Sequence, residues 1–449
     1  MELDLVNEAL ARVRDRLEAN DVDGAVAIIE ALRPADQADV FGELHLDQQR
    51  DLLRRLNLED AADILEELEE EEAAELAQLL DVGTLAPILD EMEPDEAADL
   101  LGDLLPERVT AALAQMSDPD EVRPLLLHPD ETAGGLMTSE FLVLRRRMTA
   151  AEALAAVRRW APQADTAHYL FVVDQEGRLC GVVSLIQLIK APPTALVADL
   201  MDPDVIYVRT DADQEECARL MARYDIMALP VVDETDHIVG VITVDDLVEV
   251  LEDEATEDIQ RLGGAEPLDR PYLDTGVIRV AWKRLGWLLL LFVTETFTGS
   301  VLRHFQRELD AIVALAFFVP LLIGTGGNAG SQTTSTIIRA LAVGEIRLRD
   351  ALRVFWHEIR TGLILGLLMA IVAFIRALVW GVTVPLAVAV AISIFTIVLW
   401  ANGIGAILPL LAARVGIDPA IVSGPFMSTL VDATGLFIYF TIAKLIMGI

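Results

Sequence analysis

The sequence predicts a multidomain membrane protein with three parts: an all-α superhelical N-terminal domain, a pair of α/β modules, and a transmembrane domain of five α-helices. Three observations lead to this class. Residues 1–130 are dominated by helix-favouring Leu, Ala, Glu and Asp, residues 137–255 contain an internal repeat of β-branched runs, and the remainder is strongly apolar. A chain of 449 residues is also too long for one compact core.

A weak twelve-residue repeat runs through the N-terminal part. The dipeptides Ala38-Asp39, Ala62-Asp63, Ala74-Glu75 and Ala98-Asp99 are separated by 24, 12 and 24 residues. Such spacing is typical of short helices that are joined by tight turns and stacked as a superhelix. An ordinary helical bundle is the alternative. We place this acidic helical domain at residues 1–130.

A repeat with an offset of 59 residues defines the middle part. Phe171-Val172-Val173-Asp174 and Gly181-Val182-Val183-Ser184 recur as Pro230-Val231-Val232-Asp233 and Gly240-Val241-Ile242-Thr243. Each copy combines a helix-like stretch with two short β-branched runs around a turn, which predicts two α/β modules. Within residues 131–255, the modules would occupy about 137–200 and 201–255.

The C-terminal part contains five apolar runs, each long enough to cross a hydrocarbon core of about 20 residues. The runs are 281–302, 311–341, 354–380, 384–412 and 420–447. We therefore expect a transmembrane domain at 279–449, preceded by a connecting helix at 256–278.

Charge is distributed unevenly along the chain. Residues 1–275 contain 64 Asp and Glu against 21 Lys and Arg, whereas residues 276–449 contain 8 against 13. The acidic part would repel nucleic acid and attract cations, so we expect no nucleic-acid partner. Nine basic residues of the apolar part fall at span ends on the side of the acidic part and four at the opposite ends, which predicts a cytoplasmic N-terminus and a C-terminus outside. The two cysteines, Cys180 and Cys217, fit a reducing compartment.

A carboxylate lies in the last apolar run, where residues 428–440 read STLVDATGLFIYF. An ionised acid at bilayer depth costs about 3 kcal/mol on insertion scales, so Asp432 must face water, a basic partner or a cation. Thr429 and Gly435 lie three residues away on either side and share its helical face. A structural acid paired with an arginine of another span is the alternative to an ion site.

A second polar stretch, GTGGNAGSQTTS at 324–335, is poorly suited to lipid. Its glycines, amide and hydroxyl groups suit a helix that lines an aqueous cavity and offers backbone carbonyls. The alternative is a packing face of small residues, which the spacing of Gly326 and Gly330 allows. The available ligands are oxygens, and His304 and His357 lie near span ends, so a hard cation such as Mg²⁺ is favoured over zinc or copper.

Acidic residues are dense at the end of the second module. Eight of the 14 residues from Asp245 to Asp258 are Asp or Glu, and several of them are three or four apart. Like charges at these spacings each cost a helix about 0.2–0.5 kcal/mol. Either this helix is solvated and screened by salt, or divalent cations bridge its acids to others.

Several motifs together resemble those of the MgtE magnesium transporters. The repeated modules resemble tandem CBS domains, and ETAGGLMT at 131–138 resembles the junction that precedes them in this family. The matching membrane segments are PLLIGTGGNAGSQ at 320–332, Asn402, Gly405, Pro409 and DPAIVSGPFMSTLVDATG at 418–435. The resemblance implies a homodimeric Mg²⁺ channel of the bacterial inner membrane, which takes up Mg²⁺, performs no covalent chemistry and closes when cytoplasmic Mg²⁺ is high.

The resemblance also implies which residues bind ions. In the pore they are Asp432, Asn328, Thr429 and, through its backbone carbonyl, Gly327. In a cytoplasmic Mg²⁺ sensor they are Asp95, Asp99, Asp225, Asp246, Glu254, Glu257, Asp258, Asp418, Glu59 and Glu215. Glu358 matches the family at the start of the third span, as an ion-entry residue or a solvated acid. Glu295, in the first span, has no counterpart that the resemblance supplies, and it would lie near the outer half of the pore or pair with Arg303.

CBS modules often bind adenosine nucleotides, so the resemblance implies ATP as a second ligand. In the pattern Gly240-x-x-Thr243-x-x-Asp246, Thr243 and Asp246 would hold a ribose, whereas Gln187 replaces the acid in the first module. Two rival functions stay open. One is a divalent-metal exchanger coupled to H⁺ or Na⁺ through Asp432, and the other is a membrane-anchored nucleotide sensor with purely structural spans.

Overall fold

The computed structural model describes residues 2–160, 169–268, 272–273 and 275–448, and side chains from residue 5 onward within these ranges. Residues Met1–Glu252 and Asp253–Ile449 form two compact units, and each is described by itself. The predicted fold class is confirmed, with a helical N-terminal domain, two modules built on small β-sheets, and five long apolar helices.

The N-terminal part of the first unit consists of short helices. They are α1 Glu2–Glu18, α2 Val22–Ile29, α3 Pro34–Gly42, α4 Leu46–Leu53, α5 Leu58–Glu67, α6 Glu70–Leu79, α7 Val82–Leu89, α8 Pro94–Gly102, α9 Pro106–Leu113 and α10 Pro119–Val122, followed by a 3₁₀ turn at Leu125–Leu127. The sequence marks several of their beginnings. Proline opens α3, α8, α9 and α10, and the side chains of Asp21, Asn57 and Asp81 accept backbone N–H bonds at the starts of α2, α5 and α7.

These helices stack in two alternating rows. The odd-numbered helices α1 to α9 contact one another in succession, and so do the even-numbered helices α2 to α8. This is the arrangement of a superhelix, in which each helix packs on the one two places away. The alanines of the predicted repeat, Ala38, Ala62, Ala74 and Ala98, are all buried, which explains why a small residue recurs there.

The two α/β modules each contain a three-stranded sheet. The strands are β1 Val143–Arg145, β2 Tyr169–Val173 and β3 Leu179–Ser184 in the first module, and β4 Val208–Arg209, β5 Ala228–Val232 and β6 Ile238–Thr243 in the second. Helices α11 Ala150–Arg159, α12 Leu185–Lys190, α13 Val197–Leu200 and α14 Gln214–Tyr224 flank them. The predicted runs form the antiparallel pairs β2–β3 and β5–β6, while β1 and β4 add a parallel third strand. These third strands have only three and two residues, too few for an alternating pattern to be recognised.

Corresponding turns of the two modules contact each other. His237 in the β5–β6 turn lies with its Nε2 2.9 Å from the carbonyl oxygen of Glu176 in the β2–β3 turn, and the Leu179 N–H donates to the Asp236 carbonyl at 3.0 Å. Phe171 and Val241 also share a small apolar cluster. The modules therefore pack through equivalent edges.

The remaining helices are long. They are α15 Val244–Leu262, α16 Val277–His304, α17 Gln306–Ala311, α18 Val319–Ala342, α19 Ala351–Val379, α20 Val384–Arg414 and α21 Gly424–Met447, with 3₁₀ turns at Val313–Phe318, Leu348–Asp350 and Pro419–Ile421. By length and composition, α16, α18, α19, α20 and α21 can each cross a membrane, α18 together with the 3₁₀ turn before it and α19 with the turn before it.

The connecting helix differs from its prediction. The predicted segment was 256–278, but α15 starts at Val244 and ends at Leu262. The left-handed conformation of Gly264, with φ of +74°, ends the helix. Glycine suits this position because L side chains rarely adopt such a φ and because a Cβ would lie 2.5 Å from Trp287. Residues 269–271 and 274 of the predicted segment lie outside the described residues.

Small residues allow the membrane helices to pack closely. A Cβ on Gly326 of α18 would lie 2.5 Å from Ile397 of α20 and 2.8 Å from Val431 of α21. On α21, the Tyr439 hydroxyl donates to the Leu315 carbonyl at 3.1 Å. Helix α18 therefore packs directly against both α20 and α21, which positions the polar residues of α18 and α21 next to each other.

Candidate functional site

The membrane site is built where α18 and α21 are closest. Gly327 of α18 is buried, and a Cβ there would lie 3.1 Å from the Ser428 Oγ of α21. Ser331 donates to the Gly424 carbonyl at 3.0 Å and lies 3.4 Å from the Ser428 hydroxyl. Asp432 follows Ser428 by one helical turn, so the predicted pore positions Gly327 and Asp432 lie close together along the two helices.

The other predicted pore residues lie beside these two. Thr429 is partly buried and its hydroxyl donates to the Pro425 carbonyl at 3.0 Å, which leaves its oxygen lone pairs available as acceptors. Asn328 follows Gly327 on α18 and its side chain is exposed within the described chain. Asp432 itself is half-buried. The site thus offers carboxylate, amide, hydroxyl and backbone oxygens, the donor types that Mg²⁺ prefers.

Asp432 is not held by a basic residue of the described chain. Glu295 of α16 is the charged group that acts on it electrostatically. Arg376, one of the two arginines inside the third run, instead has its guanidinium 4.7 Å from the centre of the Trp380 ring. An uncompensated acid in an apolar helix requires water or a cation.

A second cluster of polar side chains joins α18, α19 and α20, and its hydrogen-bonding groups find their partners within these helices. The Thr333 hydroxyl donates to the Asn402 Oδ1 at 2.6 Å and also approaches Glu358 at 3.4 Å, while the Asn402 Nδ2 donates to the Val398 carbonyl at 2.9 Å. Asn402 is buried. In this cluster, Asn402 and Glu358 connect α20 and α19 to Thr333 of α18. Thr333 was not singled out from the sequence, where it is one hydroxyl among five in the stretch 324–335.

A carboxylate cluster in the first unit joins α8 to the start of α15. Asp95 is 6% exposed, and one of its carboxylate oxygens has no hydrogen-bond partner in the described structure. Burial raises the pKa of Asp95 well above its usual value, and the nearby charges of Asp246 and Glu93 raise it further. Burial likewise raises the pKa of Glu96 to about 9 and that of Asp99 to about 8.

The structure thus brings together three predicted sensor residues, Asp95, Asp99 and Asp246. It adds others that sequence reasoning missed, namely Glu93, Glu96 and Glu249. The sequence could have indicated two of them, because Glu93 and Glu96 flank the predicted sensor residue Asp95 at the start of α8. Crowded carboxylates that are kept protonated by burial are a site where a divalent cation would replace protons.

A second acidic group lies in the other unit, where the end of α15 meets the turn before α21. Arg261 forms ion pairs with Glu257 and with Asp418. Burial raises the pKa of Asp258, and the charge of Asp418 raises it further. Three predicted residues, Glu257, Asp258 and Asp418, are therefore brought together, but around Arg261, which was not predicted as a site residue.

The remaining predicted sensor residues have other positions. Glu59 is exposed in the first turn of α5, and Glu215 is half-buried in the first turn of α14. Asp225 ends α14 in a left-handed conformation, with φ of 52°. Glu254 lies on α15, one turn before Asp258.

Within the described ranges, no three His, Cys, Asp or Glu side chains are already arranged to hold a metal ion. The fit to Mg²⁺ therefore comes from the all-oxygen donors and from the unpartnered oxygen of Asp95.

The predicted nucleotide residues form a helix cap. The Asp246 carboxylate accepts bonds from the Thr243 N–H and hydroxyl, both at 2.9 Å, at the start of α15. The first module has the same arrangement, since the Ser184 N–H donates to the Gln187 side chain at 2.9 Å and the Gln187 N–H donates to the Ser184 hydroxyl at 3.2 Å. Capping accounts for the repeated pattern, and the ribose role of Thr243 and Asp246 stays a prediction.

All three parts of the chain match known protein families. The family described as MgtE, divalent cation transporter, matches residues 319–442. The MgtE intracellular N domain matches residues 32–131, and the CBS domain matches residues 133–193 and 197–253.

Similar proteins extend across these parts. The magnesium transporter MgtE of Thermus thermophilus is 47% identical over 347 residues, which cover 77% of this chain and 75% of that protein. The magnesium transporter MgtE of Enterococcus faecalis is 36% identical over 73% of this chain and 72% of its own length. The crystal structure of the cytosolic domain of the Mg²⁺ channel MgtE in complex with ATP is 39% identical, with a TM-score of 0.51, and covers 54% of this chain and 99% of that one. The chain therefore belongs to the MgtE family of magnesium transporters.

Proposed function

We propose that this multi-pass membrane protein is a Mg²⁺-selective channel for Mg²⁺ uptake, assembled as a homodimer, with its N-terminus in the cytoplasm and its C-terminus outside. The observation that carries the proposal is Asp432, a half-buried carboxylate in an apolar helix with no basic partner among the described residues. Such an acid suits a hydrated divalent ion, since Mg²⁺ keeps several waters and binds through one or two carboxylates. Gly327, Asn328 and Thr429 would support its hydration shell.

We propose that the two acidic groups of the cytoplasmic part are the sensor. In the group of α8 and α15, Mg²⁺ would neutralise Asp95, Asp99 and Asp246 and so favour the closed arrangement. The group of Asp258 and Asp418 would connect that arrangement to the start of α21. A ligand shifts such an equilibrium only through its higher affinity for one state, and the crowded carboxylates provide that difference.

ATP is a proposed ligand of the tandem modules only by extension from the related cytosolic domain, whose crystal structure is a complex with ATP. Both bonds from Thr243 go to one oxygen of the Asp246 carboxylate, so the other oxygen could accept a bond from a ribose hydroxyl or contact Mg²⁺. The proposal therefore leaves Asp246 with two alternative ligands.

The test of the pore assignment is Asp432→Asn, which removes the charge and keeps the shape. In liposomes with purified protein and no H⁺ or Na⁺ gradient, we expect wild type to conduct Mg²⁺ and Asp432→Asn to lose the current. Asp310→Asn, which removes an exposed carboxylate from α17, should conduct normally. A current that requires an H⁺ or Na⁺ gradient, or one that survives in Asp432→Asn, would contradict the proposal.

A further inference from the structure

We infer that Glu295 is a second carboxylate of the ion pathway, which acts with Asp432 on the same divalent cation. The inference rests on the proposed function of Asp432 and adds a residue on another helix, α16. Glu295 lies within a predicted span, in its second half, and an ionised acid there requires an explanation because its insertion at the bilayer centre is unfavourable by about 3 kcal/mol.

The register of α16 and α21 places the two acids at about the same level. Beyond the end of α16, Phe305 stacks on Phe440 of α21 with a centroid distance of 5.3 Å. Glu295 lies ten residues before Phe305 and Asp432 eight residues before Phe440. At 1.5 Å per residue, these separations are about 15 and 12 Å along helices that run in the same direction from their starts.

Another contact fixes the same register. The Lys444 Nζ of α21 lies 2.6 Å from the Glu308 carboxylate of α17, just after α16. The two helices therefore cannot be offset by a turn without breaking both this ion pair and the aromatic stack. The level of Glu295 relative to Asp432 is set by contacts that involve neither acid.

Glu295 lies one turn from the residue of α16 that is buried against the neighbouring helices. Among the described residues of α16, Thr298 is the buried one, and it lies one turn after Glu295. Residues three apart share a helical face, so Glu295 lies at the edge of the stripe that packs on its neighbours. The Glu295 side chain is exposed within the described chain, and its charge lies close enough to act on Asp432.

Two neighbouring carboxylates without a basic partner offer the negative charge and the oxygen ligands that a divalent cation requires. Arg303, the predicted partner of Glu295, lies eight residues further, about 12 Å along the helix. The ion pairs among the described residues include neither Glu295 nor Asp432. Like charges at short distance in a medium of low dielectric constant repel strongly, and a hydrated Mg²⁺ between them would remove that repulsion. Glu295 would bind the ion through its water shell, beside Asp432.

The test compares Glu295→Gln and Glu295→Asp with Asp310→Asn in full-length protein reconstituted in liposomes. For Glu295→Gln, we expect the Mg²⁺ concentration for half-maximal current to rise about tenfold, the usual effect of losing an outer-shell carboxylate. Glu295→Asp should recover most of the affinity, and Asp310→Asn should match wild type. If Glu295→Gln has wild-type affinity while Asp432→Asn is inactive, this inference fails and the pore assignment stands. If Asp432→Asn conducts normally, the pore assignment fails first.

A second measurement does not depend on current. Glu295→Cys, in protein with Cys180 and Cys217 replaced by serine, should react with a cationic methanethiosulfonate reagent, and 10 mM Mg²⁺ should slow the reaction. Absence of labelling in folded protein would place residue 295 away from an aqueous path and overturn the inference. So would a Glu295→Gln variant that changes only the pH dependence of the current, because the acids would then share a proton instead of a metal ion.

Discussion

At the scale of single residues, the buried carboxylates of α8 have the clearest physical consequence. Their native pKa values lie above those of an unfolded chain, with Glu96 at about 9 and Asp99 at about 8. The native state therefore binds more protons than the unfolded state between about pH 4 and 9. Stability in the absence of divalent cations must fall as pH rises through this window.

The loss of stability with rising pH leads to a prediction for Asp95→Asn. In EDTA at pH 8, the variant should melt several degrees above wild type, because it removes a buried acid that must either bind a proton or bury a charge when the protein folds at this pH. Each kcal/mol shifts the midpoint by about 2–4 °C for a domain of this size. Thermal unfolding of the purified protein between pH 5 and 9 measures the effect, and Asp39→Asn, on exposed surface, is the control. The gain should disappear at pH 5 and in 10 mM Mg²⁺; an equal gain at all pH values would contradict the argument.

Two glycines of α18 give a matched pair for a packing prediction. A Cβ on Gly326 would lie 2.5 Å from Ile397 and 2.8 Å from Val431, whereas a Cβ on Gly324 would meet nothing within 4 Å. Both neighbours are β-branched and have little rotamer freedom. We expect Gly326→Ala to destabilise the fold by about 1–3 kcal/mol and Gly324→Ala to be neutral or slightly stabilising. Thermal unfolding in detergent, monitored by size-exclusion chromatography of heated samples, measures the stability of both variants. Equal melting temperatures would rule out the close contact of Gly326 with Ile397 and Val431.

At the scale of elements, the end of α15 is held by one cation of the protein itself. Arg261 pairs with Glu257 on its own helix and with Asp418 in the turn before α21. The Asp418 side chain also accepts the Ala420 N–H at 2.7 Å, so the ion pair is anchored to a fixed turn. Arg261 thus occupies a place among carboxylates that a Mg²⁺ ion would otherwise fill.

The corresponding prediction is for Arg261→Gln. Without divalent ions, this variant should lose about 1 kcal/mol, since the pair is partly exposed, and its midpoint should fall by about 2–4 °C. Because the substitution removes the positive charge that pairs with Glu257 and Asp418, the group becomes more negative, and Mg²⁺ should raise its melting temperature more than that of wild type. Arg261→Lys should resemble wild type, and Arg414→Gln, at the exposed end of α20, is the control. An identical Mg²⁺ effect in Arg261→Gln and wild type would contradict this role.

Elements were predictable where a single local pattern defines them. The five apolar runs became five long helices, and the β-branched repeats became β2–β3 and β5–β6. The short helix α17 and the strands β1 and β4 were missed, because each is too short for a repeating pattern of apolar residues to be recognised. Glu96 and Arg261 were missed as site residues because their role depends on partners far away in sequence. The domain boundaries at 130, 255 and 278 stay predictions.

At the scale of the whole molecule, the chain separates into one unit with most of the acidic residues and one that carries the spans. Our proposal assigns the sensing group of Asp95, Asp99 and Asp246 to the first unit, and it assigns conduction and the sensing group of Asp258 and Asp418 to the second. The boundary between the units falls within α15. The charge surplus of the first unit makes its compact form dependent on cations, because like charges oppose compaction.

Deletion of residues 2–130 tests this division of roles. The truncated protein should conduct, because the spans are intact, and it should stay open at millimolar cytoplasmic Mg²⁺, because α8 and its carboxylates are gone. Patch-clamp recording with Mg²⁺ varied on each side measures both properties, and wild type in the same membranes is the reference. Normal closure of the truncated channel at high cytoplasmic Mg²⁺ would show that the sensor lies elsewhere.

The far half of α21 is attached at three heights, by the Tyr439–Leu315 hydrogen bond, the Phe440–Phe305 stack and the Lys444–Glu308 ion pair. A piston-like movement of this helix along its own axis would break all three at once. A pivot near Tyr439 would preserve them and swing the end that starts at Gly424 through the widest arc. Asp432 lies between pivot and free end, so gating by tilt would displace this carboxylate sideways and would leave its depth in the bilayer almost constant.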